Sequence, residues 1–323
     1  MARILVTGGA GFLGSHFCEH LLARGDEVVA LDNFATSDGS NIEALRDNSR
    51  FTFVEADVVE ELPVRGPLDV VAHLASPASP PEYLKLPLET LRVGSTGTER
   101  CLELCRRAGA RFLLASTSEV YGDPQVHPQA EAYWGNVNPI GVRSVYDEAK
   151  RYAEALTMAY SRIGLVDVGI VRIFNTYGPR LRPGDGRVVS NFLVQALTGE
   201  PLTIYGTGLQ TRSFCFVDDL VRGLCAMADV RGVTGPVNLG NPIEVTIEDL
   251  AGRVQRVTGS TSGVVRLPGP TDDPARRRPD ITMARRLLEW EPLVDLDDGL
   301  RRSAEWFAGQ LGRSGLVPMR EKP

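Results

Sequence analysis

An apolar run, Ala2-Arg-Ile-Leu-Val-Thr7, opens directly into Gly8-Gly-Ala-Gly11-Phe-Leu-Gly14 and then into a helical pattern through Leu21, Leu22 and Ala23. The order strand, glycine-rich turn, helix is the context that a dinucleotide fingerprint requires, and it constrains the fold more than any other feature. The glycines fit two spacings, Gly9-x-Gly11-x-x-Gly14 and Gly8-x-x-Gly11-x-x-Gly14. They let the backbone turn tightly and approach a pyrophosphate, whose charge is favoured at a helix N-terminus. Gly8, Gly11, Phe12, Leu13 and Gly14 are therefore candidate cofactor contacts.

A second apolar strand, Val28–Leu31, ends in Asp32, at the distance where an acidic residue meets the adenosine ribose. A carboxylate there accepts hydrogen bonds from ribose hydroxyls and repels a 2′-phosphate. The residues that follow are Asn33 and Phe34 rather than arginines, so NAD is expected over NADP. Asp57 and Val58, after the strand Phe51–Glu55, are placed to meet the adenine edge, although a strand-end turn explains Asp57 equally well.

Apolar strands alternate with helical segments through the first half of the chain. Expected strands are Ile4–Thr7, Val28–Leu31, Phe51–Glu55, Val70–Leu74, Arg111–Ser116 and Val168–Phe174. Expected helices are Gly14–Arg24, Pro87–Arg107, Ser144–Arg162 and Val188–Thr198. This alternation predicts an α/β fold built on a doubly wound parallel sheet, with ligand beyond the carboxyl ends of the strands. After Asn175 the pattern loosens into a turn-rich stretch with Pro179, Pro183, Gly184 and Gly186. The expected division is a nucleotide-binding domain over 1–175, with part of 210–240 returning to it, a smaller substrate lobe mainly over 176–312, and a frayed tail over 313–323.

A length of 323 residues suits one large domain or two intimate lobes, and the net charge of −6 argues against nucleic acid as a partner. No apolar stretch approaches the ~20 residues of a membrane span. Met1 leads straight into a strand without a signal layout, so a cytoplasmic location is expected. Five scattered cysteines do not form a disulfide framework, and His16, His20, His73 and His127 lack metal-ligand spacing, so no metal is expected.

The chemistry lies further on, in Tyr146-Asp-Glu-Ala-Lys150 and in the run Ser116-Thr117-Ser118-Glu119-Val120-Tyr121-Gly122. A free tyrosine loses its proton near pH ~10, so it needs cationic charge close by to act as a base at neutrality. A lysine one helical turn later supplies such charge, and the end of the preceding apolar strand supplies a hydroxyl and a carboxylate. On most helices a Tyr–Lys pair at this spacing is surface packing; the nucleotide-binding end of the chain is what raises its significance here.

Longer runs carry a resemblance. They are His73-Leu-Ala-Ser-Pro-Ala-Ser-Pro-Pro81, Ala115 to Pro124, Tyr133-Trp-Gly135 with Asn138-Pro-Ile-Gly141, Asp185-Gly-Arg-Val-Val-Ser-Asn191, Asp272-Asp-Pro274 and Arg276-Arg-Arg-Pro-Asp280. With these the chain resembles the extended short-chain dehydrogenase/reductase superfamily, the Rossmann-fold NDP-sugar epimerases, dehydratases and decarboxylases, from Gly8 to Trp290. Within it the pattern is most similar to the enzymes that decarboxylate UDP-glucuronate to UDP-xylose.

That resemblance implies roles residue by residue. Tyr146 would take the sugar C4 hydroxyl proton as hydride passes to NAD, Lys150 would lower the Tyr146 pKa and hold the nicotinamide ribose, and Thr117 would assist at the C4 oxygen. The 4-ketone makes the C5 carboxylate a β-keto acid, so carbon dioxide can leave before C5 is protonated and the hydride returns. Ser118 stands where a 4,6-dehydratase carries an aspartate, and Glu119 is a candidate for managing protons at C5. Leu74 and Ser76 join the cofactor contacts.

The same resemblance makes Arg277 the cation facing the substrate carboxylate, a task guanidinium suits because it donates two parallel hydrogen bonds. Asn175, Arg187, Asn191, Tyr205, Gln210 and Arg212 would hold UDP, Tyr205 by stacking on uracil and Arg212 as the diphosphate cation. Relatives carry asparagine where this chain has Gly94, so the usual brace behind the cofactor is missing. A homodimer through Ser144–Arg162 is also implied. The alternatives are a 4,6-dehydratase, a C4 epimerase, a decarboxylase that stops at the 4-keto sugar, or a non-catalytic protein that binds NAD or nucleotide sugar.

Overall fold

The computed structural model describes residues 1–269, 276–313 and 315. Seven strands form one parallel sheet in the spatial order Val237–Leu239, Val168–Ile173, Arg111–Thr117, Val70–His73, Arg3–Thr7, Glu27–Asp32 and Phe51–Glu55. This is the doubly wound parallel sheet expected from the alternation of apolar runs. The strands read as nearly continuous apolar runs because helices cover both faces. Ile4, Leu5, Val6, Val28, Ala30, Val71, Phe112, Leu113, Leu114 and Ile170 have no solvent exposure.

The chain order reverses at the first strand, whose neighbours are Val70–His73 on one side and Glu27–Asp32 on the other. A crevice opens there at the carboxyl ends, where Thr7, Asp32, His73 and Thr117 terminate their strands. The edge strand Val237–Leu239 comes from late in the chain, and the helix Val217–Asp229 packs against the helix Phe12–Ala23.

The expected helix Pro87–Arg107 is present, running from Pro87 to Ala108 with a π-helical turn over Val93–Gly97 between Pro87–Arg92 and Thr98–Ala108. A separate short helix, Pro80–Lys85, precedes it and ends at a non-helical Leu86. Pro87 restarts the helix because it has no N–H to continue the previous one. The π turn coincides with Gly94, where an added Cβ would lie 2.7 Å from both the Cβ and the carbonyl oxygen of Ala149. The strand expected to reach Phe174 stops at Ile173.

Among the described residues three small sheets accompany the main one, the shortest pairing Cys215–Phe216 with Thr176–Tyr177. Leu202–Tyr205 pairs in parallel with Val264–Leu267. Thr211–Ser213 lies between Glu244–Thr246 and Arg276–Arg277, in a register that sets Arg277 beside Arg212. Asp272-Asp-Pro274 and most of the tail expected to fray lie outside the described residues. Among the described residues, no helix is long and apolar enough to cross a membrane.

Candidate active site

The glycine turn is built by close approach. Gly8 sits at φ 71°, and its N–H donates to the Leu31 carbonyl at 2.8 Å. A Cβ on Gly14 would meet the Gly8 carbonyl oxygen at 2.0 Å, so no larger residue fits without moving backbone. Asp32 accepts the N–H groups of Ala10 and Phe34 at 3.0 and 2.9 Å, and burial raises the pKa of its carboxyl. Asn33 donates to Asp57 at 3.0 Å. Gly8, Gly11, Phe12, Leu13, Gly14, Asp32, Asn33, Asp57, Val58, Leu74 and Ser76 all line one cavity. Bare turn backbone at a helix start, with a carboxylate at the next strand end, fits a dinucleotide.

The same cavity is lined further in by Thr117, Ser118, Glu119, Tyr146 and Lys150. Thr117 ends its strand and caps the short turn Ser118–Tyr121 by accepting the Glu119 N–H at 3.2 Å. Tyr146 is 7% exposed and stacks on Tyr83, with ring centroids 5.2 Å apart and planes 7° from parallel. Lys150 donates to the Ala115 carbonyl at 2.9 Å, and its ammonium lies 5.9 Å from the Tyr146 ring centre.

The expected acidification of Tyr146 by Lys150 is not what the protein alone produces. Burial pushes the phenol above the ordinary tyrosine range, against the lowering influences of Arg187 and a hydrogen bond with Thr117. Lys150 is itself lowered to about 8 by burial, so its charge is held less firmly than that of a surface lysine.

Glu119 is gripped by two guanidinium groups. Arg277 donates to both carboxylate oxygens, at 2.6 and 2.9 Å, and Arg143 donates at 2.8 Å. Burial would raise the pKa of this carboxyl, but Arg277 and Arg143 outweigh it and hold the group at about 2. Burial and the negative charge of Glu119 push Asp147 the other way, up to about 7. Neither the buried Asp147 Oδ1 nor the buried Tyr83 Oη has a hydrogen-bond partner.

Asn175 and Arg187 line the shared cavity, and Arg187 donates to the Ala78 carbonyl at 3.0 Å. Asn191, Tyr205, Gln210, Arg212 and Arg277 are outside that lining. Asn191 turns back to the Gly186 carbonyl at 3.1 Å, and Gln210 donates to the Tyr205 carbonyl at 2.7 Å. The Tyr205 residue is 46% exposed. Arg277 reaches the cavity wall through Glu119, and Arg212 follows beside it in register. Among the described residues, no group of three or more metal-ligating side chains occurs.

Tyr83, Arg143 and Asp147 did not emerge from the sequence reading. Asp147 lies inside the Tyr146–Lys150 motif and Arg143 three residues before it, so position alone offered a signal. Tyr83 follows Pro80 and Pro81 on a short helix and could be linked to Tyr146 only in three dimensions.

Comparison with known proteins adds a consistent finding. A family model described as the NAD dependent epimerase/dehydratase family matches residues 4–240. The chain is 51% identical over 309 residues to UDP-glucuronic acid decarboxylase 1 of Danio rerio, covering 96% of this chain and 73% of that protein. It is 55% identical over 298 residues to UDP-glucuronic acid decarboxylase 2 of Arabidopsis thaliana, covering 92% and 66%. Among solved structures, UDP-glucuronic acid 4-epimerase from Bacillus cereus in complex with UDP-glucuronic acid and NAD matches with a TM-score of 0.85 and 30% identity, over 95% of this chain and 99% of that one.

Proposed function

The chain belongs to the NAD dependent epimerase/dehydratase family, and from that premise we propose that it decarboxylates UDP-glucuronate to UDP-xylose. The observation that carries this reading is the guanidinium fork of Arg277, which with Arg143 beside it already grips one carboxylate, that of Glu119, at the cavity wall. A fork shaped for a carboxylate at this place favours a substrate that brings a carboxylate of its own.

NAD, when bound, supplies the hydride acceptor for C4 and later returns that hydride. The residues of the chain do the rest. Tyr146 takes the proton of the C4 hydroxyl and returns it, while Thr117 orients the C4 oxygen. Lys150, held by the Ala115 carbonyl, supports Tyr146 and the cofactor ribose. Gly8, Gly11, Phe12, Leu13, Gly14, Leu74 and Ser76 line the cofactor end, with Asp32, Asn33, Asp57 and Val58 around adenosine.

At the sugar end, Arg277 pairs with the substrate carboxylate. With C4 as a ketone, the C5–C6 bond breaks and its electron pair is accepted as an enolate. Ser118 in place of an acid leaves no second carboxyl at the turn to act on a C6 hydroxyl, which disfavours a 4,6-dehydratase. Asn175, Arg187, Asn191, Tyr205, Gln210 and Arg212 hold the UDP portion in this reading.

We assign the cofactor half to residues 1–175 together with part of 210–240, and the nucleotide-sugar lobe mainly to 176–312. The helix Ser144–Arg162 pairs with its twin in a homodimer, a reading supported by exposed Leu84, Leu88, Leu91 and Tyr152 on adjoining helices. Five free, buried cysteines accord with residence in the cytoplasm.

The test is incubation of the purified protein with UDP-glucuronate and NAD, followed by proton NMR and mass spectrometry. A product lighter by one carbon dioxide, with the C4 configuration restored, is the expected result. Unchanged UDP-glucuronate under conditions where NAD binds would overturn the reading.

A further inference from the structure

The strand Arg111–Thr117 meets the helix Ser144–Arg162 along a seam that changes character beside the site. Side chains alternate along a strand, so Phe112, Leu114 and Ser116 face one side. Phe112 and Leu114 pack with Ala153 of the helix in one apolar cluster. One step nearer the carboxyl end the contact turns polar, where Ser116 Oγ donates to Glu154 Oε1 at 2.6 Å. Glu154 stands one helical turn after Lys150. Ser116 stands between Thr117 and Ala115, whose carbonyl accepts from Lys150 at 2.9 Å. Ala115, Ser116, Thr117, Tyr146 and Lys150 all line the cavity.

Glu154 is itself held from the neighbouring strand. Arg172, the register partner of Ser116, donates Nε to Oε1 at 2.9 Å and Nη2 to Oε2 at 2.7 Å. Its Nη1 donates to Tyr121 Oη at 3.0 Å and to the Glu131 carbonyl at 3.1 Å. The same guanidinium thus braces the end of the turn Ser118–Tyr121, which carries Glu119. The Arg172–Glu154 pair is largely out of solvent, with side chains 12% and 13% exposed. Stability is a poor reason for such a pair, because apolar residues of similar volume often serve as well or better. A carboxylate held by three hydrogen bonds, in contrast, sets both distance and register across the seam.

On the reading of Tyr146, Lys150 and Thr117 as the hydride-transfer centre, on which this inference rests, that distance matters. Thr117 comes from the strand and Tyr146 from the helix, yet both must meet the same sugar oxygen. A misplacement of about 1 Å can cost about 10²-fold in rate. The bond from Lys150 to Ala115 is one tie, about which helix and strand can pivot, and Lys150 must also serve the cofactor ribose. We propose that Glu154 is a positioning residue for this centre. Through Ser116 it holds the strand end bearing Thr117 in place beside the helix bearing Tyr146 and Lys150. Through Arg172 it ties both to the turn of Glu119. This second tie persists when Lys150 turns to the cofactor.

Ser116→Ala tests the tie by itself, because Arg172 still neutralises Glu154 in that variant. In single turnovers of the full-length protein with NAD and UDP-glucuronate, cofactor reduction should slow by about 10-fold or more. The loss should fall on kcat, with KM for UDP-glucuronate, NAD affinity and melting temperature close to wild type. Adding Ser116→Ala to Glu154→Leu should slow the reaction no further than Glu154→Leu alone, since the two residues act through one contact.

A wild-type rate of cofactor reduction in Ser116→Ala would overturn the proposal. So would a loss shared equally by rate, NAD affinity and melting temperature, which marks a contact that only supports the fold. If Glu154→Leu does not fold, Ser116→Ala decides alone. Absence of cofactor reduction in the wild-type protein would overturn the functional reading itself, a result distinct from failure of the tie.

Discussion

Arg277 holds Glu119 through two parallel hydrogen bonds, at 2.6 and 2.9 Å, across a sequence separation of 158 residues. The arginine is 6% exposed. A planar guanidinium that already fits one carboxylate in this way presents the geometry that a second carboxylate would use.

Replacing that fork should damage carboxylate chemistry more than folding. Arg277→Met is expected to lower kcat/KM for UDP-glucuronate by about 10²-fold or more, in the range of a lost buried charge partner. Arg277→Lys should recover only part of this, because an ammonium cannot donate in parallel. Steady-state kinetics on the two variants, with NAD affinity measured alongside, checks the effect.

Tyr146→Phe removes the phenolic oxygen but keeps the ring that stacks on Tyr83. The fold and NAD binding should therefore survive. Oxidation at C4 should fall by about 10²- to 10⁴-fold, the usual worth of a positioned base. A stopped-flow trace of cofactor reduction is the readout, and a normal transient would remove Tyr146 from its assigned role.

Glu119 and Asp147 should move stability with pH in opposite directions. The carboxyl of Glu119 is depressed to about 2, so its stabilising contribution is present above its unfolded value of about 4.3 and is lost as pH falls toward 2. Asp147 is raised to about 7, so its ionisation opposes folding progressively as pH climbs from about 3.9 to 7. Thermal unfolding across pH should show Glu119→Gln less stable than wild type at neutrality, with the gap closing in acid. Asp147→Asn should be the more stable protein at neutrality, with its advantage shrinking in acid.

Gly94 is expected to resist any larger residue, asparagine included. A Cβ there would press on Ala149 at 2.7 Å, within the helix that bears Tyr146 and Lys150. Gly94→Asn should cost about 1–3 kcal/mol, as other overpacked positions do. Differential scanning calorimetry measures that loss, and titration calorimetry with NAD tests whether the displaced helix also weakens cofactor binding.

Much of this architecture was legible in the sequence because the features that specify it are local. The strand ending at Thr7, the turn Gly8–Gly14 and Asp32 lie within one strand–helix–strand unit, so spacing alone locates them. Tyr146 and Lys150 were visible for the same reason, one helical turn apart. The π turn at Gly94 was hidden because tertiary contact with Ala149 overrides helical periodicity. The stack of Tyr83 on Tyr146 and the grip of Arg143 on Glu119 depend on packing between segments that no spacing rule connects. Arg277 was reachable through resemblance, but its resting partner was not.

The long reach between Glu119 and Arg277 also bears on biosynthesis. A ribosome finishes the glycine turn, Asp32, Tyr146 and Lys150 well before it reaches Arg277, and domains tend to fold from the N-terminal end as they emerge. A chain interrupted between Lys150 and Arg276 would carry the cofactor turn and the tyrosine without the guanidinium that pairs with Glu119. A chain interrupted before Val217 would also lack the edge strand Val237–Leu239 and the helix Val217–Asp229 that packs on Phe12–Ala23. The guanidinium that grips Glu119 by both oxygens is thus the last of the site's named residues to be synthesised.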